Sequence, residues 1–216
     1  MPAPTRFIFQ GETLWLSPAR CIFWEEEHAL VLSDLHFGKS GHFRKSGIGI
    51  PQNIFKEDLQ RLFSQMQFFK PKKLLITGDM FHSKENKEAD FFLKWRKDFS
   101  ETEFYLVRGN HDILTSSFYQ KANITVFENK LKIKDFCFTH DANSCIDESF
   151  TFSGHIHPGI KMKGVANQSV MLPCFYFGKK YAVLPAFSAF TGLAKINPSG
   201  QDDVFALVEN SVLKVQ

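Results

Sequence analysis

The stretch ALVLSDLH, residues 29–36, decides the fold class of this 216-residue chain. Its apolar run ends at Ser33, and the polar residues Asp34 and His36 follow at once. An unbroken apolar run of this length is typical of a strand that is buried on both faces, as in the parallel sheets of α/β proteins. In such sheets the functional side chains lie just beyond the carboxyl ends of the strands. The sequence therefore predicts a central strand that ends in site residues.

Two further strand-to-loop units repeat this arrangement along the chain. KLLIT, residues 73–77, runs into Gly78 and Asp79. EFYLV, residues 103–107, runs into the polar segment 108–112, RGNHD. Three successive strands thus carry polar side chains at the same end, and these side chains should share one edge of a sheet.

Helices are predicted between these strands. Apolar residues recur at helical spacing from Phe55 to Phe69, and Pro71 ends that helix. Residues 88–99 form a second predicted helix, whose inward face is expected to carry Phe91, Phe92, Trp95 and Phe99. The second half of the chain consists of short strand-like runs, including SVMLP (169–173) and CFYFG (174–178). We therefore expect one α/β domain over residues 1–216, with two packed sheets and helices outside.

Composition and charge limit the classes of function. The chain has 26 basic and 23 acidic side chains, a balance that argues against wrapping nucleic acid by charge alone. Its four cysteines form no CxxC pair, and it shows neither an apolar signal-peptide core nor a run of 18 apolar residues. These features favour a cytoplasmic protein with reduced thiols and no membrane contact. Most of the 25 phenylalanines fall on predicted core positions, but Phe37, Phe43 and Phe81 stand in predicted loops.

Five polar patches follow predicted strands and together form one candidate site. They are Asp34-x-His36, Gly78-Asp79, Gly109-Asn110-His111-Asp112, Thr139-His140-Asp141 and Gly154-His155-Ile156-His157. The glycines should let the backbone turn sharply and expose the next residue. Oxygen and imidazole donors without a thiolate suit manganese, iron or zinc, and there are too many of them for one tetrahedral ion. About seven of these donors would fit two ions that share a carboxylate and lie about 3.5–4 Å apart, and such a pair could clamp a phosphoryl group.

This ordered set resembles the motifs of the calcineurin-like metallophosphoesterase superfamily. The resemblance implies a four-layer α/β/β/α sandwich, in which two mixed sheets are flanked by helices. It also implies two metal sites with a shared ligand. One ion would be held by Asp34, His36 and His157, the other by Asn110, His140 and His155, and Asp79 would bridge the two.

The same resemblance implies roles for the two residues after Asn110. His111 would protonate the leaving oxygen or stabilise the charged phosphorane, and Asp112 would orient the His111 ring. The chain departs from many members of the superfamily at Thr139, where they have glycine. This departure leaves the following imidazole of His140 in place as a ligand.

Loops beyond the ligands resemble the ligase-associated DNA-damage-response endonuclease branch of the superfamily. The matching stretches are residues 33–39, 42–45, 47–51, 78–83 and 184–192. This closer resemblance implies a manganese-dependent phosphodiesterase that acts on DNA in DNA repair. Iron or zinc is the alternative metal, another phosphodiester is the alternative substrate, and a DNA ligase and a helicase are the implied partners.

Several basic residues near the patches are candidates for binding the substrate: Lys39, His42, Arg44 and Arg108. Arg108 could clamp a phosphate oxygen, or it could cap a sheet edge with a carboxylate. The other three lie on a long loop that either contacts substrate or is simply solvated. His82 could orient a ligand or be an ordinary loop histidine.

Two other functions are compatible with the same residues. A dimetal hydrolase of a small phosphorylated metabolite, a nucleotide or a lipid-linked diphosphate would use the same catalytic core. A non-catalytic scaffold is disfavoured, because every motif position is filled.

Overall fold

The computed structural model describes residues 3–39, 54–82, 87–144, 149–164 and 168–216. The predictions made for His42, Phe43 and Arg44 therefore lie outside the described residues. Within them, sixteen β-strands form two sheets and three α-helices are present.

The first sheet contains the apolar run that precedes Asp34. Its strands are β1 (Thr5–Phe9), β2 (Glu12–Ser17), β3 (Cys21–Trp24), β4 (Ala29–Leu32), β5 (Lys73–Ile76), β6 (Glu103–Val107) and β7 (Ile124–Phe127). They lie side by side in chain order. Strands β1 to β4 pair antiparallel, and β4 to β7 pair parallel. All four residues of β4 are buried, as its apolar run predicts.

The second sheet is built from the rest of the chain. Its strands are β8 (Lys130–Ile133), β9 (Phe136–Thr139), β10 (Phe150–Ser153), β11 (Pro158–Lys163), β12 (Ser169–Phe177), β13 (Tyr181–Val183), β14 (Ala194–Lys195), β15 (Asp203–Val208) and β16 (Ser211–Lys214). The main path runs β14-β11-β12-β13-β10-β9-β8, and β15 pairs with β12 and β16. Parallel pairing of β10 with β9 and β13 makes this sheet mixed as well.

Three helices cover the outer face of the first sheet. They are α1 (Ile54–Phe69), α2 (Lys87–Arg96), which a 3₁₀ turn (Lys97–Phe99) extends, and α3 (Ser116–Lys121). Their apolar side chains and those of β4, β5 and β6 form one core cluster. Phe91, expected to point inward, is instead 56% exposed, whereas Phe92 is fully buried. Successive helix residues point about 100° apart, so only one of this pair can face the sheet.

A second core cluster, rich in phenylalanine, lies between the two sheets. It includes Phe136, Phe138 and Phe152 of the second sheet. Many of the rings meet edge to face, as Phe7 and Phe177 do with centroids 4.9 Å apart. Because each ring buries a large apolar area in a rigid shape, the excess of phenylalanine serves the packing of the two sheets.

Phe37 and Phe81, placed in loops by the sequence, belong to the core beneath the helices. They are 2% and 0% exposed and lie against each other, with ring centroids 6.0 Å apart. Their loops pair through an isolated parallel bridge, which turns both side chains inward. These two rings therefore belong to the packed core although they follow the ends of strands.

The predicted α/β sandwich of two mixed sheets flanked by helices is confirmed. In the described ranges, all three α-helices pack on the first sheet, and a 3₁₀ turn (Ala142–Ser144) contacts β10 and β13 of the second. None of the helices in these ranges combines the length and the hydrophobicity needed to cross a membrane. The organisation of residues 1–216 as one domain stays a prediction.

Candidate metal centre

The loops after β4 and β5 continue the parallel pairing of the two strands. The backbone N–H of His36 donates to the carbonyl oxygen of Asp79 (2.9 Å), and that of Phe37 donates to Met80 (2.9 Å). These bonds hold the first two polar patches side by side at the carboxyl edge of the sheet. Asp34 and His36 are thereby placed next to Asp79, as the sequence predicts.

Asp34 is fully buried, and its two carboxylate oxygens have different surroundings. Oδ2 accepts hydrogen bonds from the hydroxyl of Ser33 (2.6 Å) and the backbone N–H of His155 (3.1 Å). Among the described residues Oδ1 has no hydrogen-bond partner, and it lies 3.4 Å from Nε2 of His157 and 3.9 Å from Nε2 of His36. A buried carboxylate oxygen facing two imidazole nitrogens in this way fits a cation among the three groups.

The first ligand group also has the charge state that metal binding requires. Burial raises the pKa of Asp34, but the contact with His157 and the Ser33 hydroxyl outweigh it and hold that pKa below its usual value. Burial lowers the pKa of His36 to about 3. At neutral pH the site therefore offers a carboxylate and a neutral imidazole, which are the forms that coordinate metals.

The second ligand group surrounds Nε2 of His140. Nδ1 of this ring donates to the carbonyl oxygen of Thr77 (3.0 Å), which leaves the lone pair on Nε2. That nitrogen lies 2.8 Å from Oδ1 of Asn110, 3.1 Å from Nδ1 of His155 and 3.5 Å from Oδ1 of Asp79. Nε2 and the Asn110 oxygen then face each other as two acceptors, and a cation between them would satisfy both.

Asp79 lies between the two groups. Its Oδ1 faces His140, and its Oδ2 lies 4.0 Å from Nδ1 of His36. The ligand atoms of Asp34, His36 and His157 lie within 4.8 Å of one another, as do those of Asp34, Asp79 and His140. Asp34 is the member common to both sets, and the bridging role of Asp79 stays a prediction.

Backbone strain is concentrated at these ligands. Twelve non-glycine residues among those described have a positive φ, and five of the twelve are proposed ligands. They are Asp34 (54°), His36 (50°), Asp79 (54°), His155 (70°) and His157 (51°). Such conformations cost free energy and persist at functional sites, where surrounding contacts enforce them.

Three glycines give the ligands the space they occupy. A Cβ at Gly78 would collide with the ring of His140, and a Cβ at Gly109 would collide with Asp79. A Cβ at Gly154 would collide with Ser33 and with the carboxylate of Asp34. Gly78 also has a φ of 91°, the only left-handed backbone of the three. The expectation that each glycine permits a sharp turn therefore holds for Gly78. The other two glycines instead allow neighbouring side chains to lie close to the backbone.

Asp112 binds backbone rather than the His111 ring. Its carboxylate accepts four hydrogen bonds, from the N–H groups of Asp79 (2.8 Å), Met80 (2.9 Å), Phe81 (3.0 Å) and Gly109 (2.9 Å). These bonds join the loops after β5 and β6. Both oxygens are occupied by them, which differs from the ring-orienting contact that the resemblance implied for this residue.

His111 lies at the mouth of the site. Its backbone N–H donates to Oδ1 of Asp79 (2.9 Å), and its Nε2 lies 4.0 Å from Oδ2 of the same carboxylate. The side chain is 42% exposed. The imidazole is thus beside the ligand groups and accessible to a molecule that enters from solvent, and its catalytic role stays a prediction.

The candidate substrate-binding residues that the structure describes have different surroundings. Burial holds the pKa of Lys39 below its usual value, although the negative charges of Asp34 and Asp79 act to raise it. Arg108 forms an ion pair with Glu128 (Nε to Oε2, 2.9 Å) and donates to the carbonyl oxygen of Asp112 (2.8 Å). These contacts agree with the second alternative for Arg108, in which it caps a sheet edge with a carboxylate.

Two supporting contacts of the site were not identified from the sequence. The hydroxyl of Ser33 binds Asp34, and the carbonyl oxygen of Thr77 sets the tautomer of His140. Both residues directly precede a polar patch, and that adjacency is the one local signal they offer. Segment 184–192 lies beneath the site, since Ser188 N–H donates to the carbonyl oxygen of Asp34 (3.1 Å).

Comparisons with known proteins give the family of this chain and a similar fold. A model of the calcineurin-like phosphoesterase family matches residues 28–168, a span that contains all seven proposed metal ligands. The crystal structure of Pseudomonas putida nuclease MPE is similar at a TM-score of 0.84 and 24% identity, covering 98% of this chain and 100% of that one. Yfce, a phosphoesterase from E. coli, has a TM-score of 0.46 and 13% identity over 87% of this chain and 97% of that one. No curated protein matches the chain.

Proposed function

The chain belongs to the calcineurin-like phosphoesterase family and is a hydrolase of phosphoester bonds, and we propose that it is a dimetal phosphodiesterase that cuts DNA during repair. One observation carries the proposal. Two groups of nitrogen and oxygen ligands meet at Asp79, directly beside the exposed imidazole of His111. Two ions held by these groups would suit in-line displacement at a phosphodiester.

The metal in this proposal is manganese, with iron or zinc as the alternatives. Asp34, His36 and His157 would hold one ion, Asn110, His140 and His155 the other, and Asp79 would contact both. The buried oxygen of Asp34 without a hydrogen-bond partner supports this assignment. When bound, two such ions would polarise the phosphoryl group and lower the pKa of the attacking water.

The protein's own groups would supply the remaining chemistry. His111 would donate a proton to the leaving oxygen from Nε2, the ring nitrogen that lies near Asp79. Lys39 would attract and orient the phosphate, since it is the last described residue of the loop that follows Asp34 and His36. Asp112 would act through the backbone, by holding the loop that carries Asp79 in place.

A DNA substrate is supported by the accessibility of the site and by the loops around it. Asn110 and His155 are exposed, and so is Ile156 (43%), which lies between the two histidines of the GHIH motif. A long chain can therefore reach the ligands. The loops that resemble the DNA-damage-response branch support the same substrate, and with it the partnership with a DNA ligase and a helicase. The buried thiols of Cys21 and Cys174, which form no disulfide, support a cytoplasmic location.

One assay series tests this proposal. Protein stripped with a chelator and reloaded with Mn²⁺, Fe²⁺ or Zn²⁺ is incubated with bis(p-nitrophenyl) phosphate, with p-nitrophenyl phosphate, and with linear and circular single- and double-stranded DNA. We expect Mn²⁺-dependent cleavage of the diester and of DNA, with circular DNA opened by an endonuclease. Asp79→Asn should lose both activity and bound metal, and Asp135→Asn, a substitution on the exposed β8–β9 turn, is the matched control.

The other possible outcomes separate the alternatives. Cleavage of monoesters, nucleotides or lipid-linked diphosphates without cleavage of DNA would support the small-substrate hydrolase. Full metal binding without hydrolysis of any phosphoester would contradict an enzyme of this class. Equal activity of Asp79→Asn and the unmodified protein would point to a contaminating enzyme.

A further inference from the structure

The ring of His82 lies against the ring of His111. Their centroids are 4.3 Å apart and their planes are inclined by 36°. The ring of His36 meets each of them edge to face, at 5.6 Å from His82 and 5.7 Å from His111. His82 is therefore the closest ring neighbour of His111 in this group of three.

The fold holds His82 firmly in this place. Its backbone N–H donates to the carbonyl oxygen of Phe37 (2.8 Å), and the preceding residue, Phe81, pairs with Phe37 in a β-bridge. Phe81 is fully buried, and its ring packs on Phe92 (5.4 Å) and Phe118 (5.2 Å) of the core beneath the helices. The ring of His82 thus projects from an anchored backbone.

Among the residues that the structure describes, nothing anchors the side chain of His111 in this way. It is 42% exposed, and the carboxylate of the next residue, Asp112, is occupied by four backbone N–H groups. A half-exposed imidazole of this kind has several rotamers open to it, and a group that moves protons must spend its time in the productive one. Contact with a fixed ring restricts that choice.

We propose that His82 is a positioning residue that holds the imidazole of His111 over the metal centre by ring contact. This inference rests on the proposed function, in which His111 serves the leaving group. The ring of His82, rather than its nitrogens, performs the task, so an aromatic substitute should preserve it. His82 thereby has the orienting role that the resemblance implied for Asp112.

The kinetic test compares His82→Ala with His82→Phe in the manganese-loaded enzyme. In His82→Ala we expect kcat on DNA to fall about 10- to 100-fold, with KM and metal content unchanged. His82→Phe should retain kcat within about threefold, because the ring contact remains. On bis(p-nitrophenyl) phosphate, whose leaving group needs little protonation, the alanine variant should lose much less.

A double-mutant cycle shows whether the effect passes through His111. In a His111→Ala background, the further change His82→Ala should cost almost nothing, because the ring that it positions is gone. An undiminished loss in that background would overturn the proposal. Equal damage by phenylalanine and alanine, or loss of bound metal in His82→Ala, would do the same.

A measurement that needs no activity separates this inference from the proposed function. NMR relaxation of the His111 ring in the zinc-loaded protein, which is diamagnetic, should show a more mobile ring in His82→Ala than in His82→Phe or the unmodified protein. Unchanged mobility would contradict the inference even if DNA is cleaved. Greater mobility in a protein that cleaves no phosphodiester would support the ring contact between His82 and His111, and it would refute only the proposed function.

Discussion

Asp34 shows how single atoms organise the candidate metal centre. Its Oδ2 is held by the hydroxyl of Ser33 and the backbone of His155, and its Oδ1 is left to face His157 and His36. One carboxylate therefore joins the first polar patch to the last, across 121 positions of the chain. Small changes around this group should affect metal binding before they affect the fold.

Gly154 offers a direct test of that statement. In Gly154→Ala the new methyl group would meet Ser33 and the Asp34 carboxylate, neither of which can withdraw from a buried site. We expect the affinity for divalent metal to fall about 10- to 100-fold, the cost typical of a disturbed outer shell. Titration calorimetry and elemental analysis of the purified variant measure this loss.

Gly200→Ala is the matched control for this experiment, because a Cβ there meets nothing within 4 Å. It should bind metal as the unmodified protein does. Normal metal affinity in Gly154→Ala would show that the site relaxes freely and that close packing around Asp34 is unimportant.

At the scale of elements, helix α1 is tied to the segment beneath the site. Arg61 of α1 forms an ion pair with Asp58 (2.6 Å) and donates to the carbonyl oxygen of Phe187. Phe187 N–H in turn donates to the carbonyl oxygen of Ser33 (2.8 Å) at the end of β4. The helix, segment 186–189 and the central strand are thus connected by polar contacts as well as by the apolar core.

Removal of the buried carboxylate should weaken this connection. In Asp58→Ala the guanidinium of Arg61 loses its charged partner, and we expect a loss of about 2 kcal/mol in the free energy of unfolding. Urea unfolding followed by circular dichroism measures it. Glu57→Ala, one residue earlier and exposed, should cost less than about 1 kcal/mol. Equal losses in the two variants would contradict a structural role for this pair.

At the scale of the whole molecule, a group of charges joins the two sheets. Lys134, in the turn between β8 and β9, lies 3.1 Å from Glu12 of β2 and 3.2 Å from Glu27. Glu27 also pairs with Lys73 of β5 (2.8 Å). The first sheet supplies the acidic groups and the second sheet supplies one of the two cations, so the contacts hold the sheets together at this edge.

This network should contribute to stability in a pH-dependent way. The hydrogen bond from Lys73 holds the pKa of Glu27 below its usual value, burial opposes it, and Lys134 lowers it further. The folded protein then keeps Glu27 ionised at a pH where the unfolded chain, with a pKa of about 4.3, takes up a proton. The stabilisation is present above that pH and is lost as the pH falls through the lowered pKa of the folded state.

Glu27→Gln tests this pH dependence. The variant should be less stable than the unmodified protein at pH 7, and the difference should shrink as the pH falls below about 4. Urea unfolding at a series of pH values measures it, with the exposed Glu101→Gln as the control. A difference that stays constant from pH 7 to pH 3 would contradict the contribution of these ion pairs.

Three features of the fold differ from what the sequence predicts, each for a physical reason. Phe91 and Phe92 look alike in sequence, and only the docking angle of α2 decides which one is buried. Pro173 separates two predicted runs, yet it lies within β12, because the strand changes partner there from β11 to β15. Helix α3 has six residues, too few to produce a helical period in the sequence.

The sequence by itself determined the fold class of this protein and its candidate ligands. Donor types, their order and their place after apolar runs are local properties. They predicted an α/β fold with one site at the sheet edge, and the resemblance to the superfamily implied how the ligands from Asp34 to His157 would be shared between two ions. Only the tertiary structure decided which atoms meet. The oxygen of Asp34 that remains free, the four backbone partners of Asp112 and the ring of His82 beside His111 depend on contacts between residues far apart in the chain. Such contacts follow from how strands pair and loops pack, and no local pattern records them.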